Sequence, residues 1–158
     1  MRSPAELNDR LRARGLKLTP QRRCILGVLY GNDAHPTAES VHAAASAKLP
    51  GISLKTVYQT LHELVEMGEL DTIDLGTGAV RFDPNIESAH QHVVCTGCGV
   101  VHDLEVTVDR LGLVAVDHQG FTVERIEVVV RGRCPGCAAA TGPAAVGPAA
   151  TAPGGSAG

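Results

Sequence analysis

Leu54, Val57, Tyr58, Leu61, Leu64 and Val65 recur at the spacing that lines one face of an α-helix, while Lys55, Thr56, Gln59, Thr60 and His62 fall off that face. Ser53 caps this helix and Gly68 closes it. Three shorter helical patterns precede it. Ser3-Pro4-Ala5-Glu6 reads as a capping box with proline in the first turn, opening a helix that runs to about Arg14, buries Leu7 and Leu11, and stops at Gly15. Thr19-Pro20 opens a second, whose buried stripe is Ile25, Leu26, Val28 and Leu29, and Thr37 caps a third from Ala38 to about Lys48. The period then changes to two: Ile73/Leu75 and Val80/Phe82 alternate around Gly76-Thr77-Gly78, which predicts a β-hairpin. Helices followed by such a hairpin form a winged helix, whose last helix enters the DNA major groove while the wing touches the backbone.

Residues 84–91 read as a link to a second unit. His92–Cys95 and Gly99–Leu104 are expected to pair as strands, and Val108, Leu111, Val114 and Ala115 suggest a helix over Thr107–His118 that Gly112 interrupts. Phe121 to Arg131 is a Val/Ile-rich strand whose apolar edge offers a dimer seam. From Ala138 to Gly158 the chain contains only Ala, Gly, Pro, Ser, Thr and Val, and is expected to be disordered. The expected class is α+β, with a DNA-binding domain over 1–83, the link over 84–91, a small α/β domain over 92–137 and a tail over 138–158.

Charge divides along the same line. Residues 1–62 hold nine Lys/Arg against four Asp/Glu; the remainder holds five against thirteen. The basic part calls for an anionic partner that the acidic part does not share, and nucleic acid is the obvious one. No apolar run approaches the length of a membrane span, and the first residues lack a signal-peptide core, so a cytoplasmic protein is expected.

Chemistry concentrates in His90-Gln91-His92-Val93-Val94-Cys95-Thr96-Gly97-Cys98 and in Cys134-Pro135-Gly136-Cys137. Two Cys-x-x-Cys pairs supply the four thiolates of a closed tetrahedral zinc site. A single redox dithiol needs no matching second pair, and reduced cytosolic thiols suit a metal better than disulfides. A catalytic zinc keeps a position open, which four sulfurs do not leave. That weakens the reading as a thiol oxidoreductase or zinc hydrolase. A bare zinc-ribbon binding module leaves the basic winged helix unexplained. Cys24, alone on an apolar helix, is expected to pack in the core. His90 and His92 share a strand face and offer two nitrogens to a second site.

With Leu18-Thr19-Pro20-Gln21-Arg22, His35-Pro36-Thr37-Ala38, Thr56-Val57-Tyr58-Gln59-Thr60-Leu61 and the His-x-His fused to the first cysteine pair, residues 5–137 resemble the ferric-uptake-regulator family of metal-responsive repressors. The resemblance implies a homodimer that binds an inverted repeat in double-stranded DNA, with structural Zn2+ on Cys95, Cys98, Cys134 and Cys137. It also implies a regulatory Fe2+ or Mn2+ between the domains, held by His35, Asp83, His90, His92 and Asp103, with Glu87, His102 and His118 as rival ligands. Asp at both 83 and 103 is most similar to the peroxide-sensing branch; an iron regulator without peroxide sensing is the alternative. On the DNA side, Tyr58 and Gln59 are expected at bases with Thr56 beside them, and Arg14, Lys17, Arg22 and Lys55 at phosphates.

Overall fold

The first four helices each begin where a hydroxyl can accept a main-chain N–H three residues ahead: Ser3 from Glu6, Thr19 from Arg22, Thr37 from Ser40, Ser53 from Thr56. The computed structural model describes residues 1–76, 78–86, 88, 90–106, 120–122 and 126–141. The helices are α1 (Pro4–Ala13), α2 (Pro20–Leu29), α3 (Ala38–Lys48) and α4 (Leu54–Glu66). Leu7, Leu11, Ile25, Leu26, Leu29, Val41, Val57, Leu61 and Leu64 are fully buried between them.

The inward stripe of α4 is Val57, Thr60, Leu61 and Leu64. Two expectations shift here. Leu54 and Tyr58 are exposed, Tyr58 by 47%; neither joins the helical core. Thr60, expected outside, is buried, and its hydroxyl donates to the Thr56 carbonyl at 2.8 Å. A hydroxyl satisfied within its own helix can be buried at little cost.

The hairpin follows as β1 (Asp71–Ile73) and β2 (Arg81–Asp83), antiparallel, with Ile73 opposite Arg81. Its strands are shorter than the alternation suggested: Leu75 lies past β1 yet is buried, and Val80 is exposed ahead of β2. β2 also binds the loop before α3, since the Phe82 N–H donates to the Pro36 carbonyl at 3.0 Å.

The second sheet has the order β4-β3-β5, from β3 (Gln91–Cys95), β4 (Val101–Leu104) and β5 (Val129–Gly132). β3 runs antiparallel to β4, with His92 opposite Asp103, and parallel to β5. β4 begins at Val101 rather than Gly99, because Gly99, at φ 74°, still belongs to the cysteine turn. The helix expected over 107–118 lies outside the described residues, as do 123–125 of the strand expected from Phe121; of the rest, Val129–Gly132 is strand.

A short helix, α5 (Pro135–Thr141), ends the described chain and corrects the expectation of disorder from Ala138. The Ala138 N–H reaches the Cys134 carbonyl at 2.9 Å, and the alanines that follow are strong helix formers. Residues 142–158 lie outside the described residues.

A small second core crosses the boundary expected at 83/84. Ile73 and Leu75 from the hairpin pack with Val94, Val101 and Val129 of the sheet. Arg131 Nη2 donates to the Leu75 carbonyl at 2.7 Å and Arg81 Nη2 to the Gly99 carbonyl at 2.9 Å. The wing therefore has one flank committed to the second unit.

Truncating Leu61 to alanine removes a fully buried side chain and is expected to cost about 2–5 kcal/mol in urea unfolding. Leu54→Ala, at the exposed start of the same helix, should cost well under half of that.

Candidate metal centres and nucleic-acid interface

The first cysteine pair sits at the end of β3 and in the turn after it; the second lies just past β5 and in the first turn of α5. Because β3 and β5 are hydrogen-bonded neighbours, the two turns meet. Donor atoms of Cys95, Cys98, Cys134 and Cys137 all lie within 4.8 Å of one another. Cys98 Sγ and Cys134 Sγ are 3.7 Å apart, against about 3.8 Å for the edge of a tetrahedron with zinc–sulfur bonds near 2.3 Å. All four are free thiols.

Main-chain N–H groups point at this cluster. Those of Cys134 and Gly97 reach Cys95 Sγ at 3.2 and 3.4 Å. The N–H of Cys134, then that of Cys98, draws the Cys95 thiol down to about 6. Cys134, Cys98 and Cys95 push Cys137 up to about 12. The first thiolate forms readily and the last is opposed by its neighbours, so a dication resolves the crowding. The four-cysteine site fits structural zinc. Gly97 is what lets the turns close: a Cβ there would stand 2.9 Å from Cys137 Sγ.

The second cluster lies in the seam between the units. His35 comes from the loop before α3, Asp83 from the end of β2, His90 from just ahead of β3, His92 from β3 and Asp103 from β4. All five expected ligands are brought together. His35 Nε2 is 2.7 Å from Asp103 Oδ1 and 3.6 Å from Asp83 Oδ1. His90 Nε2 is 2.9 Å from Asp83 Oδ2, 3.8 Å from Asp103 Oδ1 and 3.1 Å from His92 Nε2. His92 Nε2 is 3.5 Å from Asp83 Oδ2.

Donor atoms of His35, His90, His92 and Asp103 thus lie within 4.8 Å of one another, and Asp83 borders that set through its contacts with the three imidazoles. Both ring nitrogens of His35 and Oδ1 of Asp103 are buried without a well-aligned hydrogen bond, although His35 Nε2 and Asp103 Oδ1 stand only 2.7 Å apart. Buried polar groups are rarely left so, and a cation among them would satisfy His35 Nε2 and Asp103 Oδ1 together. An all-nitrogen-and-oxygen set suits a borderline ion such as Fe(II), Mn(II) or Zn(II) better than a soft one. Among the rivals, His102 is exposed and lines a different cavity with Val93 and Arg133, because successive strand residues face opposite ways. Glu87 and His118 lie outside the described residues.

Burial pushes His35 below the usual imidazole value, against the opposing pull of Asp83 and Asp103, so it is neutral at neutral pH. For His90 burial acts downward too, but the Ser88 carbonyl, Asp83 and Asp103 outweigh it and the net shift is upward. That carbonyl accepts from Nδ1 at 2.8 Å, which leaves Nε2 turned into the site. Asp83 is opposed by burial, yet His92, the Asn85 N–H, His35 and His90 hold it below the ordinary carboxylate range.

His35 has a positive φ of 49°, the one non-glycine residue described with this feature, and it precedes a proline. Three contacts to β2 hold it there: Arg81 Nη1 on its carbonyl at 3.0 Å, the Phe82 N–H on Pro36, and a bridge between Thr37 and Arg81. Arg81 was not singled out in the sequence. It ties the His35 loop to the cysteine turn through the Gly99 carbonyl.

On the helical surface, Arg14, Lys17, Lys55 and Gln59 are exposed. Tyr58 is exposed and its hydroxyl donates to Glu39 at 2.7 Å. Thr56 is half-buried and pairs with Ser53 at the helix start. Arg22 differs from its expected companions. Its Nη2 grips both Glu63 oxygens at 2.5 and 2.6 Å, and its Nη1 donates to the Lys17 carbonyl. Its guanidinium braces α2 against α4 and is not free for a phosphate in this arrangement.

A winged helix joined to a cysteine-knotted sheet, with a nitrogen-and-oxygen metal cluster at the seam, defines a metal-responsive transcriptional regulator. The chain belongs to the ferric uptake regulator family, whose sequence model matches residues 13–131. It is 33% identical over 141 residues to the transcriptional regulator FurA of Mycobacterium tuberculosis, covering 87% of this chain and 94% of that one. It is also 33% identical over 134 residues to the peroxide operon regulator of Bacillus subtilis, covering 84% and 92%. The ferric uptake regulator of Pseudomonas aeruginosa, solved with manganese, superposes with a TM-score of 0.62 at 28% identity over 81% of this chain and 97% of that one. Members of the family are DNA-binding transcriptional regulators that function as dimers.

Gly97→Ala should drive a methyl group onto Cys137 and lower the zinc retained per chain through mild chelation, read by elemental analysis. At the seam, protons compete with metal for His90 Nε2 up to a pH above the ordinary imidazole value. Affinity for Mn(II) should therefore keep rising with pH beyond the ordinary imidazole range, read by fluorescence or calorimetric titration.

Proposed function

We propose that this chain is a peroxide-responsive, metal-dependent repressor acting in the cytoplasm. As a homodimer it binds an inverted-repeat operator while Fe2+ or Mn2+ occupies His35, Asp83, His90, His92 and Asp103, with Zn2+ held on Cys95, Cys98, Cys134 and Cys137. One observation carries this reading: imidazoles and carboxylates from two units converge in a seam that no thiol enters. Kinship with the Bacillus subtilis peroxide operon regulator supports the branch.

Metal linking the units favours one relative arrangement of winged helix and sheet, and only such differential binding can shift a conformational equilibrium. In a dimer the α4 helices present Tyr58 and Gln59, with Thr56 behind them, to successive major grooves. Gln59 suits adenine and Tyr58 a thymine methyl. Arg14, Lys17 and Lys55 neutralise phosphates, and Arg22 acts through α4 instead.

Fe(II) held by these residues would supply the electron that starts peroxide reduction, with the net change that hydrogen peroxide inserts one oxygen atom into an imidazole C–H and leaves as water. His35 and His90 would bear that oxygen. Solvent reaches the seam through an open cavity of about 470 Å³ lined by Tyr30, Asn32, Asp33, Asp83, Asn85 and Asp103. An oxidised imidazole is a poor ligand, so metal leaves and DNA is released. The zinc-bound thiolates stay out of the reaction, since zinc has no redox step of its own.

In mobility-shift assays the Mn(II) protein should bind a palindromic operator and not a scrambled one, and binding should weaken steeply with salt. After a brief low dose of hydrogen peroxide, the Fe(II) protein should gain one oxygen on His35 or His90 by mass spectrometry, and the Mn(II) protein should not. Unmodified histidines with DNA binding retained would favour an iron regulator without peroxide sensing.

A further inference from the structure

Resting on the metal-site reading above, we infer that Asn85 is a positioning residue that tethers both carboxylates of the regulatory site and, by holding Asp103 Oδ2, turns Asp103 Oδ1 toward the metal. Its main-chain N–H donates to Asp83 Oδ1 at 2.7 Å. Its side-chain Nδ2 donates to Asp103 Oδ2 at 2.8 Å. Asp83 ends the wing and Asp103 lies in the second sheet, so a single residue holds ligands from both units.

The Asp103 oxygen left over, Oδ1, faces His35 Nε2 at 2.7 Å and His90 Nε2 at 3.8 Å. Asp83 turns both oxygens to imidazoles, Oδ2 to His90 Nε2 at 2.9 Å and the tethered Oδ1 to His35 Nε2 at 3.6 Å. A carboxylate whose outer oxygen already accepts a hydrogen bond is biased toward offering one oxygen to an ion rather than two. Ser88 sets the amide the right way round: its hydroxyl donates to Asn85 Oδ1 at 3.2 Å, which turns Nδ2 toward Asp103. The same Ser88 accepts from His90 Nδ1 through its carbonyl. The segment between the two units, read from sequence as a plain link, therefore orients three of the five ligands. Partners of this kind, one step removed from the metal, govern ligand geometry nearly as strongly as the ligands themselves.

The test uses the full-length zinc-loaded dimer, wild type and Asn85→Leu, which keeps the side-chain volume and loses the donor. Mn(II) affinity should fall roughly 10- to 100-fold, and the electron paramagnetic resonance spectrum of Mn(II) at saturation should change, since it reports how the carboxylates bind. Zinc content and the melting temperature without Mn(II) should stay close to wild type, while the rise in melting temperature on adding Mn(II) shrinks. Asn85→Ser, which also loses the bond to Asp103 and, like leucine, keeps the main-chain bond to Asp83, should show the same fall in affinity, and it carries the test if the leucine variant does not fold. Wild-type affinity and an unchanged spectrum in a folded variant overturn the role of Asn85 alone. A wild-type chain that binds no Mn(II) overturns the metal-site reading and this inference with it.

Discussion

An ionised carboxylate and two imidazoles packed away from water set the terms for this chain. Asp83 and His35 are almost wholly buried, and Asp83 is held in its charged form. A buried charge is tolerable only when paired, and its partners, His35, His90 and His92, arrive from the loop before α3, from the approach to β3 and from β3 itself. The docking of winged helix on sheet is thus inseparable from the neutralisation of one aspartate. The apolar contacts across the seam amount to Ile73 and Leu75 against three valines. They are few, so the polar cluster has leverage over the joint.

The two metal centres are mechanically related. Cys95 closes the strand on which His92 stands, three residues earlier, about 10 Å along an extended chain. Asp103 faces His92 across the β3–β4 ladder. A knuckle that pins the end of β3 and the exit of β5 therefore also sets the register in which two regulatory ligands meet. Loss of the structural ion would blur the regulatory site without touching a regulatory ligand.

Much of this was legible from the sequence, for identifiable reasons. The stripe along α4 and the capping hydroxyls are local, periodic signals. The cysteine spacing is a chemical signal that survives any fold. His90 and His92 were readable from their shared strand face, whereas His35, Asp83 and Asp103 came from resemblance, since no local pattern links His35 to Asp103. What stayed hidden depends on contacts between distant segments. The grip of Arg22 on Glu63 spans 41 positions and turns an expected phosphate contact into a brace. Asn85 stands in a stretch with no period and Arg81 on the polar side of the hairpin's alternation, and their roles appear only once two units are docked. Tyr58 fits the helical period of the core yet is exposed, its hydroxyl donating to Glu39 on α3. Ala138–Thr141 was misjudged on composition: alanine suits a disordered tail and a helix equally well, and Pro135 decided for the helix.

His35 stands in a left-handed main-chain conformation ahead of a proline. Such a residue carries strain on the order of 1–3 kcal/mol. The three contacts to β2 offset that strain, so the posture of this ligand rests on the wing. A movement that parts the loop from β2 would let the main chain relax and swing His35 out of line with Asp83 and Asp103.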